Sequence, residues 1–177
     1  MQTIGLVPGA MKPFHAGHHY LIATAISQCD KVIIFTSLKD RGIIKGPKMF
    51  EAWQKVILPL LPDTVTICSV TSPVGSVYKY LEHDGVLESH YRIYGGTEDI
   101  LRLSKARMLQ YYPNLNVMNV AEETPDAFTR GAGYTSIPAK GEWVRESIKA
   151  GDQEKFRSFL PDFLKPYASE YLQTLLS

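Results

Sequence analysis

Residues 3–37 read TIGLVPGAMKPFHAGHHYLIATAISQCDKVIIFTS, and this stretch is the strongest indication of the fold class. Its two ends, residues 3–7 and 31–37, are short apolar runs bounded by polar or turn-forming residues, which is the pattern of buried parallel strands. Between them, residues from about 17 to 28 place apolar side chains on one face of a helix. The stretch therefore predicts one strand–helix–strand unit of a parallel sheet.

The rest of the chain repeats this alternation. We predict further strands over residues 64–70, 91–94 and 116–120, and further helices over residues 49–60, 74–81 and about 97–108. Residues 121–141 contain glycines and prolines without a hydrophobic period, which predicts a long loop. Three helices are predicted in the tail, over residues 142–150, 152–159 and 162–176. The expected fold class is α/β, a Rossmann-like, doubly wound parallel sheet of about five strands with carboxy-terminal helices. We expect one domain covering residues 1–177, with its helical part at about 141–177.

Composition excludes several classes of protein. The 177 residues include 19 Lys plus Arg and 18 Asp plus Glu, so the formal net charge of +1 argues against a nucleic-acid partner. The start of the chain lacks the features of a secretory signal, and no stretch has the roughly 18 apolar residues of a membrane span. Cys29 and Cys68 show no CxxC spacing, so we expect reduced thiols and a cytoplasmic location.

The loop between the first strand and the first helix carries the residues suited to chemistry. In open α/β sheets, ligands bind where strands end and helices begin. Gly9 and Gly17 leave room for a ligand, His15 and His18 are spaced to flank one anion, and Lys12 adds a fixed cation. The free N–H groups at a helix start also attract phosphate. The loop therefore predicts a phosphate site.

Other ligands are possible for these side chains. Zinc on His15, His18 and His19 is disfavoured because no cysteine or acidic fourth ligand lies nearby, although His83 and His90 elsewhere in the chain leave it open. The loop is neither GxGxxG nor GxxxxGK[ST], which counts against a dehydrogenase and against a P-loop enzyme.

Two motifs resemble those of a known superfamily. Residues 12–18, KPFHAGH, resemble the HxGH signature of the nucleotidylyltransferases, which include nicotinamide mononucleotide and pantetheine phosphate adenylyltransferases and glycerol phosphate cytidylyltransferases. Residues 140–152, KGEWVRESIKAGD, are similar to the superfamily's carboxy-terminal signature, where a Ser/Thr-rich turn opens a helix that bears an arginine. Arg145 matches that arginine. A third stretch, residues 93–99 (IYGGTED), looks like the strand-end turn that lies beside the nucleotide in these enzymes.

The Ser/Thr pair of the second signature is not matched in register. Lys140 and Glu142 occupy those places, while Thr135 and Ser136 lie a few residues earlier, across Pro138. Either Ser136 reaches back to the phosphates or Lys140 takes over that contact.

The resemblance implies a direct, in-line transfer of a nucleotidyl group. A phosphorylated acceptor attacks the α-phosphorus of a nucleoside triphosphate and pyrophosphate leaves, with Mg²⁺ bridging the triphosphate and no metal ligand expected from the protein. The implied catalytic and triphosphate-binding residues are Lys12, His15, His18 and Arg145. The implied nucleotide-binding residues are Gly9, Ala10, Met11, Gly17, Gly96, Thr97, Asp99, Ser136 and Lys140. The Lys-Pro-Phe-His form favours ATP over CTP, and nicotinamide mononucleotide is the leading acceptor by analogy. The alternative from another class is a nucleotide-binding or sensor domain without catalysis.

Three further features of the sequence each have two interpretations. The loop of residues 38–48, LKDRGIIKGPK, could meet an anionic acceptor through Lys39 and Arg41, or could be a solvated loop. Trp53 could stack on an acceptor ring or pack in the core. An apolar stripe near the end of the chain could cover the protein's own core or a second copy, which leaves a homo-oligomer open; it comprises Tyr167, Tyr171, Leu172, Leu175 and Leu176.

Overall fold

The structure, a computed structural model, describes residues 2–84, 89–96, 102–111, 120–123 and 139–177. Its strands are β1 (Gln2–Gly9), β2 (Lys31–Ser37), β3 (Val65–Val70), β4 (Ser89–Tyr94) and β5 (Val120–Glu123). Its α-helices are α1 (Ala16–Gln28), α2 (Gly46–Ala52), α3 (Pro73–Asp84), α4 (Lys105–Tyr111), α5 (Gly141–Lys149), α6 (Gln153–Ser158) and α7 (Ala168–Leu176).

The five strands form one sheet in the order β3-β2-β1-β4-β5, and every neighbouring pair is parallel. This confirms the predicted α/β, doubly wound fold. The chain order reverses between β1 and β4, so the carboxyl ends of these strands form the switch point where ligands bind in open α/β sheets.

The chain divides into two compact units, each made of separate segments. The sheet unit holds Met1–Ala10, Leu21–Ser37 and Thr64–Pro125. The second unit holds Met11–Tyr20, Leu38–Asp63 and Asp126–Ser177. The single-domain organisation stays a prediction.

Helices cover both faces of the sheet in the sheet unit. On one face, Ile4 and Leu6 of β1 share a core with Val77 and Leu81 of α3. On the other face, the segment that ends α1 packs closely on Gly5, because a Cβ added there would lie 3.1 Å from the Cys29 sulfur. Alternation along β1 therefore serves two helices, as a doubly wound sheet requires.

The second unit has an aromatic core of its own. Phe14, Trp53 and Tyr171 are fully buried, and the rings of Phe14 and Trp53 lie 4.9 Å apart between centroids. Phe156 lies 5.8 Å from Tyr171 by the same measure. The carboxy-terminal helices thus pack against the loop that bears the histidines.

Some element boundaries differ from the prediction. The helix predicted over residues 49–60 is α2, followed by a π-turn at Trp53–Ile57 and a 3-10 turn at Leu58–Leu60. Pro59 explains the tight ending, since it has no N–H for an α-helical hydrogen bond. Likewise, the last predicted helix, 162–176, is a 3-10 turn at Lys165–Tyr167 containing Pro166, followed by α7.

The fifth strand extends further than predicted. Residues 116–119 are outside the described residues, and β5 takes in Ala121–Glu123, which were predicted to open the long loop. Residues 124–138 of the predicted loop and residues 97–101 of the predicted helix are outside the described residues as well.

Among the described residues, no helix combines the length and the apolar character needed to cross a membrane.

Candidate active site

A cleft of about 250 Å³ in the second unit brings together the residues of the two motifs. It is lined by Lys12, His15, His18, Arg41, Lys140, Gly141, Glu142 and Arg145. These residues come from the loop before α1, the first turn of α1, the loop before α2 and the start of α5. All four residues predicted to be catalytic therefore line one cleft.

The two histidines are stacked and their tautomers are fixed by backbone hydrogen bonds. Their ring centroids lie 3.8 Å apart. The Gly17 N–H donates to His15 Nδ1 at 3.0 Å, and the His15 N–H donates to His18 Nδ1 at 3.3 Å. Because each Nδ1 accepts a hydrogen bond, the proton of each neutral ring is on Nε2. Both imidazoles can therefore donate from Nε2 to an anion.

The start of α1 differs from its prediction. The sequence predicts free N–H groups there, but the Gly17 N–H bonds to His15 Nδ1 and the Ala16 N–H donates to the Phe159 carbonyl at 2.9 Å. These two backbone donors shape the loop instead of facing a ligand. Side-chain donors thus become the main candidates for anion binding.

Burial keeps both histidines neutral. It lowers the pKa of His18 to about 3, helped by the nearby charge of Lys12. Burial also lowers the pKa of His15 well below its usual value, with smaller contributions from His18 and Arg145. At neutral pH the two rings are therefore uncharged hydrogen-bond donors whose protonation an incoming anion would favour.

Lys12 is a buried cation beside them. Only 3% of its surface is exposed, and this burial lowers its pKa from 10.5 to about 8, an effect that the charge of Asp40 partly opposes. A desolvated ammonium has lost most of its water and gains strongly from an anionic ligand. The cleft therefore favours a multiply charged anion.

Arg145 lies in α5, and a hydrogen bond holds its guanidinium in place. Its Nη1 donates to the Lys12 carbonyl at 2.7 Å. A Cβ added to Gly141 would lie 2.9 Å from that Nη1, and one added to Gly42 would lie 3.4 Å from the Arg145 Cδ. Two glycines thus make the slot in which the guanidinium lies.

The loop before α2 places Arg41 at the same cleft. The Asp40 carboxylate accepts a hydrogen bond from the Gly46 N–H at 2.8 Å, and Arg41 and Ile44 exchange backbone hydrogen bonds around Gly42, whose φ is +57°. Positive φ suits glycine, which tightens this turn. Arg41, predicted as an acceptor contact, therefore lines the cleft that holds His15 and His18.

Lys140 and Glu142, which stand where the resemblance predicts a Ser/Thr turn, line this cleft. The Lys140 ammonium lies 5.0 Å from the centroid of the Trp143 ring. Glu142 is exposed, and it is the one carboxylate among the described residues that line the cleft. The choice between Lys140 and Ser136 stays a prediction, because Ser136 is outside the described residues.

The donor set does not favour a metal ion bound by the protein alone. Cations and imidazole donors surround Glu142, and the described part of the chain contains no group of three or more His, Cys, Asp or Glu that could hold a metal. A divalent cation would repel Lys12 and Arg145 unless phosphates accompany it. A divalent metal would therefore fit this cleft only together with an anionic ligand.

The remaining predicted contacts are divided between several places. Gly9 ends β1 and the next residue, Ala10, accepts a hydrogen bond from the Thr36 hydroxyl at 3.2 Å. Met11 is buried with a φ of +50°, and Gly96 follows the carboxyl end of β4. Thr97 and Asp99 lie outside the described residues. Nucleotide contacts of these positions remain predictions.

The structure favours the packing interpretation for Trp53. Its side chain is fully buried against Phe14, so its ring lies in the core of the second unit and does not line the cleft. Lys39 is exposed and also lies outside the set of cleft-lining residues. Trp53 and Lys39 therefore do not contact the cleft.

Gly141, like Glu142, lines the cleft without having been predicted as a site residue. It stands four positions before Arg145, so both lie on the same face of α5. No local sequence signal marks it, because its contact with Arg145 exists only in the folded chain.

Comparisons with known proteins show the fold. No protein-family model matches the sequence, and no curated protein does. A candidate nicotinate-nucleotide adenylyltransferase from Vibrio parahaemolyticus is similar in structure, with a TM-score of 0.66 at 14% identity over 98% of this chain and 99% of that one. A bifunctional NMN adenylyltransferase/ADP ribose pyrophosphatase from Francisella tularensis, complexed with AMP and a manganese ion, has a TM-score of 0.64 at 18% identity over 99% of this chain and 52% of that one. Thermotoga maritima TmcAL, bound with alpha-thio ATP, has a TM-score of 0.59 at 12% identity over 98% of this chain and 56% of that one. The chain thus spans nearly all of the first protein and about half of the other two, and at these identities the similarity establishes a shared fold.

Proposed function

We propose that the protein is a nucleotidylyltransferase that moves AMP from ATP onto a small phosphorylated acceptor and releases pyrophosphate. The observation that carries this proposal is the convergence of His15, His18, Lys12 and Arg145 on one cleft. Two imidazoles with Nε2 donors and two cations are suited to the charge that develops on a leaving pyrophosphate.

The reaction needs no protein nucleophile, because the acceptor phosphate is already an anion. One of its oxygens forms a bond to the α-phosphorus of ATP while the bond from that phosphorus to the bridging oxygen of the β-phosphate breaks. The bond's electron pair leaves with pyrophosphate. The protein's part is to orient the two substrates and to stabilise the charge on the triphosphate.

Five of the cleft residues have a role in this scheme. His18 donates from Nε2 to the triphosphate where negative charge grows, and His15, stacked on it, donates from the same atom. Lys12 and Arg145 bind phosphate oxygens as fixed charges, and Arg41 lies beside them as an additional cation. Mg²⁺ enters with the triphosphate, neutralises part of its charge and is held by phosphate oxygens and water.

The acceptor is proposed to be a pyridine mononucleotide, either the nicotinate or the nicotinamide form. Support comes from the Lys-Pro-Phe-His form of the loop and from the names of the Vibrio and Francisella proteins that share the fold. The same support favours ATP over CTP. A cytidylyltransferase using CTP is the alternative within the same reaction class.

A second candidate is a domain that binds a nucleotide without turning it over. The substitution of Lys140, Gly141 and Glu142 for a Ser/Thr turn favours it, since hydroxyl donors to the phosphates are replaced there. Retention of both histidines and Arg145 at one cleft favours the enzyme, because binding alone does not require donors aimed at a leaving group.

Pyrophosphate release with Mg²⁺ tests the proposal. ATP, CTP, GTP and UTP are each combined with nicotinate mononucleotide, nicotinamide mononucleotide, phosphopantetheine and glycerol phosphate. We expect release with ATP that depends on a pyridine mononucleotide. Release with CTP and glycerol phosphate would support the cytidylyltransferase, and ATP binding without release in any combination would support the binding domain.

A further inference from the structure

Two hydrogen bonds with the carboxy-terminal segment hold the backbone on either side of His15. The Tyr171 hydroxyl of α7 donates to the Phe14 carbonyl at 2.9 Å. On the other side, the Ala16 N–H donates to the Phe159 carbonyl at 2.9 Å. The histidine is thus fixed by residues far away in the sequence, Tyr171 being 157 positions from Phe14.

The hydrogen bond from Tyr171 to Phe14 is buried. Tyr171 and Phe14 are both fully buried, and the Tyr171 hydroxyl also lies 3.8 Å from the Met49 sulfur. Burial raises the pKa of Tyr171 well above its usual value, so the hydroxyl keeps its proton and donates throughout the physiological pH range. A buried carbonyl that loses such a donor has no water to replace it.

Phe14 passes this constraint to both cleft histidines. It precedes His15 directly in the chain, and its ring lies nearly parallel to that of His18, with an interplanar angle of 23° and centroids 6.2 Å apart. On another side the ring packs on Trp53. A shift of the Phe14 carbonyl therefore moves the backbone of one histidine and the support of the other.

We propose that Tyr171 is a positioning residue, which through the Phe14 carbonyl holds the stacked His15–His18 pair in the geometry that the cleft needs. The catalytic consequence rests on the proposed function, whereas the effect on the histidine rings does not. A displacement of about 1 Å at a reacting centre can lower a rate by about 10²-fold, so a lost anchor next to His15 acts mainly on turnover.

The test compares Tyr171→Phe with Tyr94→Phe. Both substitutions remove only a hydroxyl from a fully buried tyrosine, since Tyr94 donates to the Gln28 side chain at 2.6 Å. Tyr94 belongs to the sheet unit and does not line the cleft. A general loss of stability therefore affects both variants, and a positioning effect affects one.

Two readouts are needed. The first is the NMR signals of the His15 and His18 rings in the protein without ligand, where Tyr171→Phe shifts both sets and Tyr94→Phe leaves them at their wild-type positions. The second is turnover well below the melting temperature, where Tyr171→Phe lowers kcat about tenfold and changes the KM for the triphosphate less than about threefold. Tyr94→Phe keeps the wild-type kcat.

The outcomes separate the two proposals. Unmoved histidine signals in Tyr171→Phe overturn the positioning role, as does a kcat that falls no further than in Tyr94→Phe. If no acceptor supports turnover in the wild-type protein, the proposed function fails while the ring signals still decide: shifted signals support the anchor and unshifted ones overturn it.

Discussion

The Arg145 guanidinium donates from Nη1 to the backbone carbonyl of Lys12 at 2.7 Å, across 133 positions of sequence. This bond joins the two motifs that were separated in the chain. The position of the guanidinium also explains why residue 141 is a glycine. A Cβ on Gly141 would lie 2.9 Å from the same nitrogen. The Lys12 backbone and the Arg145 guanidinium, which belong to two proposed phosphate-binding residues, are thereby held relative to each other.

Gly141→Ala should displace Arg145 and weaken triphosphate binding about tenfold, close to the effect of Arg145→Ala. The reason is the loss of a charge-assisted hydrogen bond, of about 1.5–3 kcal/mol, together with a misplaced cation. Calorimetry with a non-hydrolysable ATP analogue measures it. Alanine suits a helix better than glycine, so helix propensity predicts no loss of stability from this change.

Gly151→Ala is the matched control for that variant. Its φ of +69° strains an alanine, while the added Cβ meets nothing within 4 Å among the described residues. It should lower the melting temperature and keep the wild-type affinity. Equal affinities of Gly141→Ala and the parent would show that the glycine slot is irrelevant to binding.

His18→Ala should leave the fold intact and lower turnover by roughly 10²-fold or more, the size expected when a donor to developing charge is lost. Steady-state pyrophosphate release measures this. His83→Ala, at an exposed position of α3, is the control and should turn over like the parent. Unchanged turnover in His18→Ala would remove the imidazole from the mechanism.

Triphosphate affinity should fall as the pH rises above about 8. Because the pKa of Lys12 is lowered to about 8, its ammonium is charged below this pH and becomes neutral above it, and binding to an anion then requires taking up a proton. Affinity measured between about pH 7 and pH 9.5 should decline by up to about tenfold per pH unit above the pKa, since one proton is linked to binding.

Lys12→Arg supplies the comparison for the pH profile. An arginine stays charged across this range, so its profile should be flat even if its affinity is lower. A decline of the same slope in Lys12→Arg would assign the titration to another group.

Stability should fall as the pH drops below about 6.5. Burial lowers the pKa of His19 to about 4, partly opposed by Asp162, and lowers that of His18 to about 3. Between these values and 6.5 the unfolded chain binds protons that the folded chain does not, so acid favours unfolding. Urea unfolding at about pH 7, 6 and 5 measures the slope.

His19→Gln should reduce the slope of the unfolding free energy against pH. The expected reduction corresponds to about one proton, or about 1.4 kcal/mol per pH unit. His19 packs 4.8 Å from the Phe163 ring, outside the cleft-lining set. His83→Gln, at an exposed position, should keep the parental slope. A His19→Gln slope equal to the parent's would mean that His19 is not a neutral, buried group.

Much of the fold could be predicted because its signals are local. The apolar runs at residues 31–37 and 65–70 show the strand pattern within their own sequence. The loop between β1 and α1 could be placed because a strand pattern is followed there by a helical pattern. Pro59 and Pro166 lie inside otherwise helical patterns, and the structure shows that they end or tighten the helices there.

The parts of the site that escaped prediction depend on contacts between distant segments. Nothing near Gly141 in the sequence indicates that its missing side chain accommodates Arg145 beside the Lys12 carbonyl. Similarly, Tyr171 belongs to an apolar stripe, and its hydroxyl bond to Phe14 exists only once α7 has packed. The interpretation of Trp53 also depends on its burial in the folded chain. A ring that stacks on a ligand and a ring that packs in the core look the same in the sequence.

Transfer of the α-phosphate of ATP to the acceptor is the most direct test of the proposed nucleotidyl transfer. ATP labelled at the α-phosphorus is incubated with Mg²⁺, the protein and a pyridine mononucleotide, and the products are separated and weighed by mass spectrometry. We expect the label to appear in a dinucleotide whose mass is the acceptor plus AMP less water, with one pyrophosphate released per product. We also expect His18→Ala to form this product at least about 10²-fold more slowly. Label that remains in ADP or AMP, with no adduct of the acceptor, would contradict the proposed transfer.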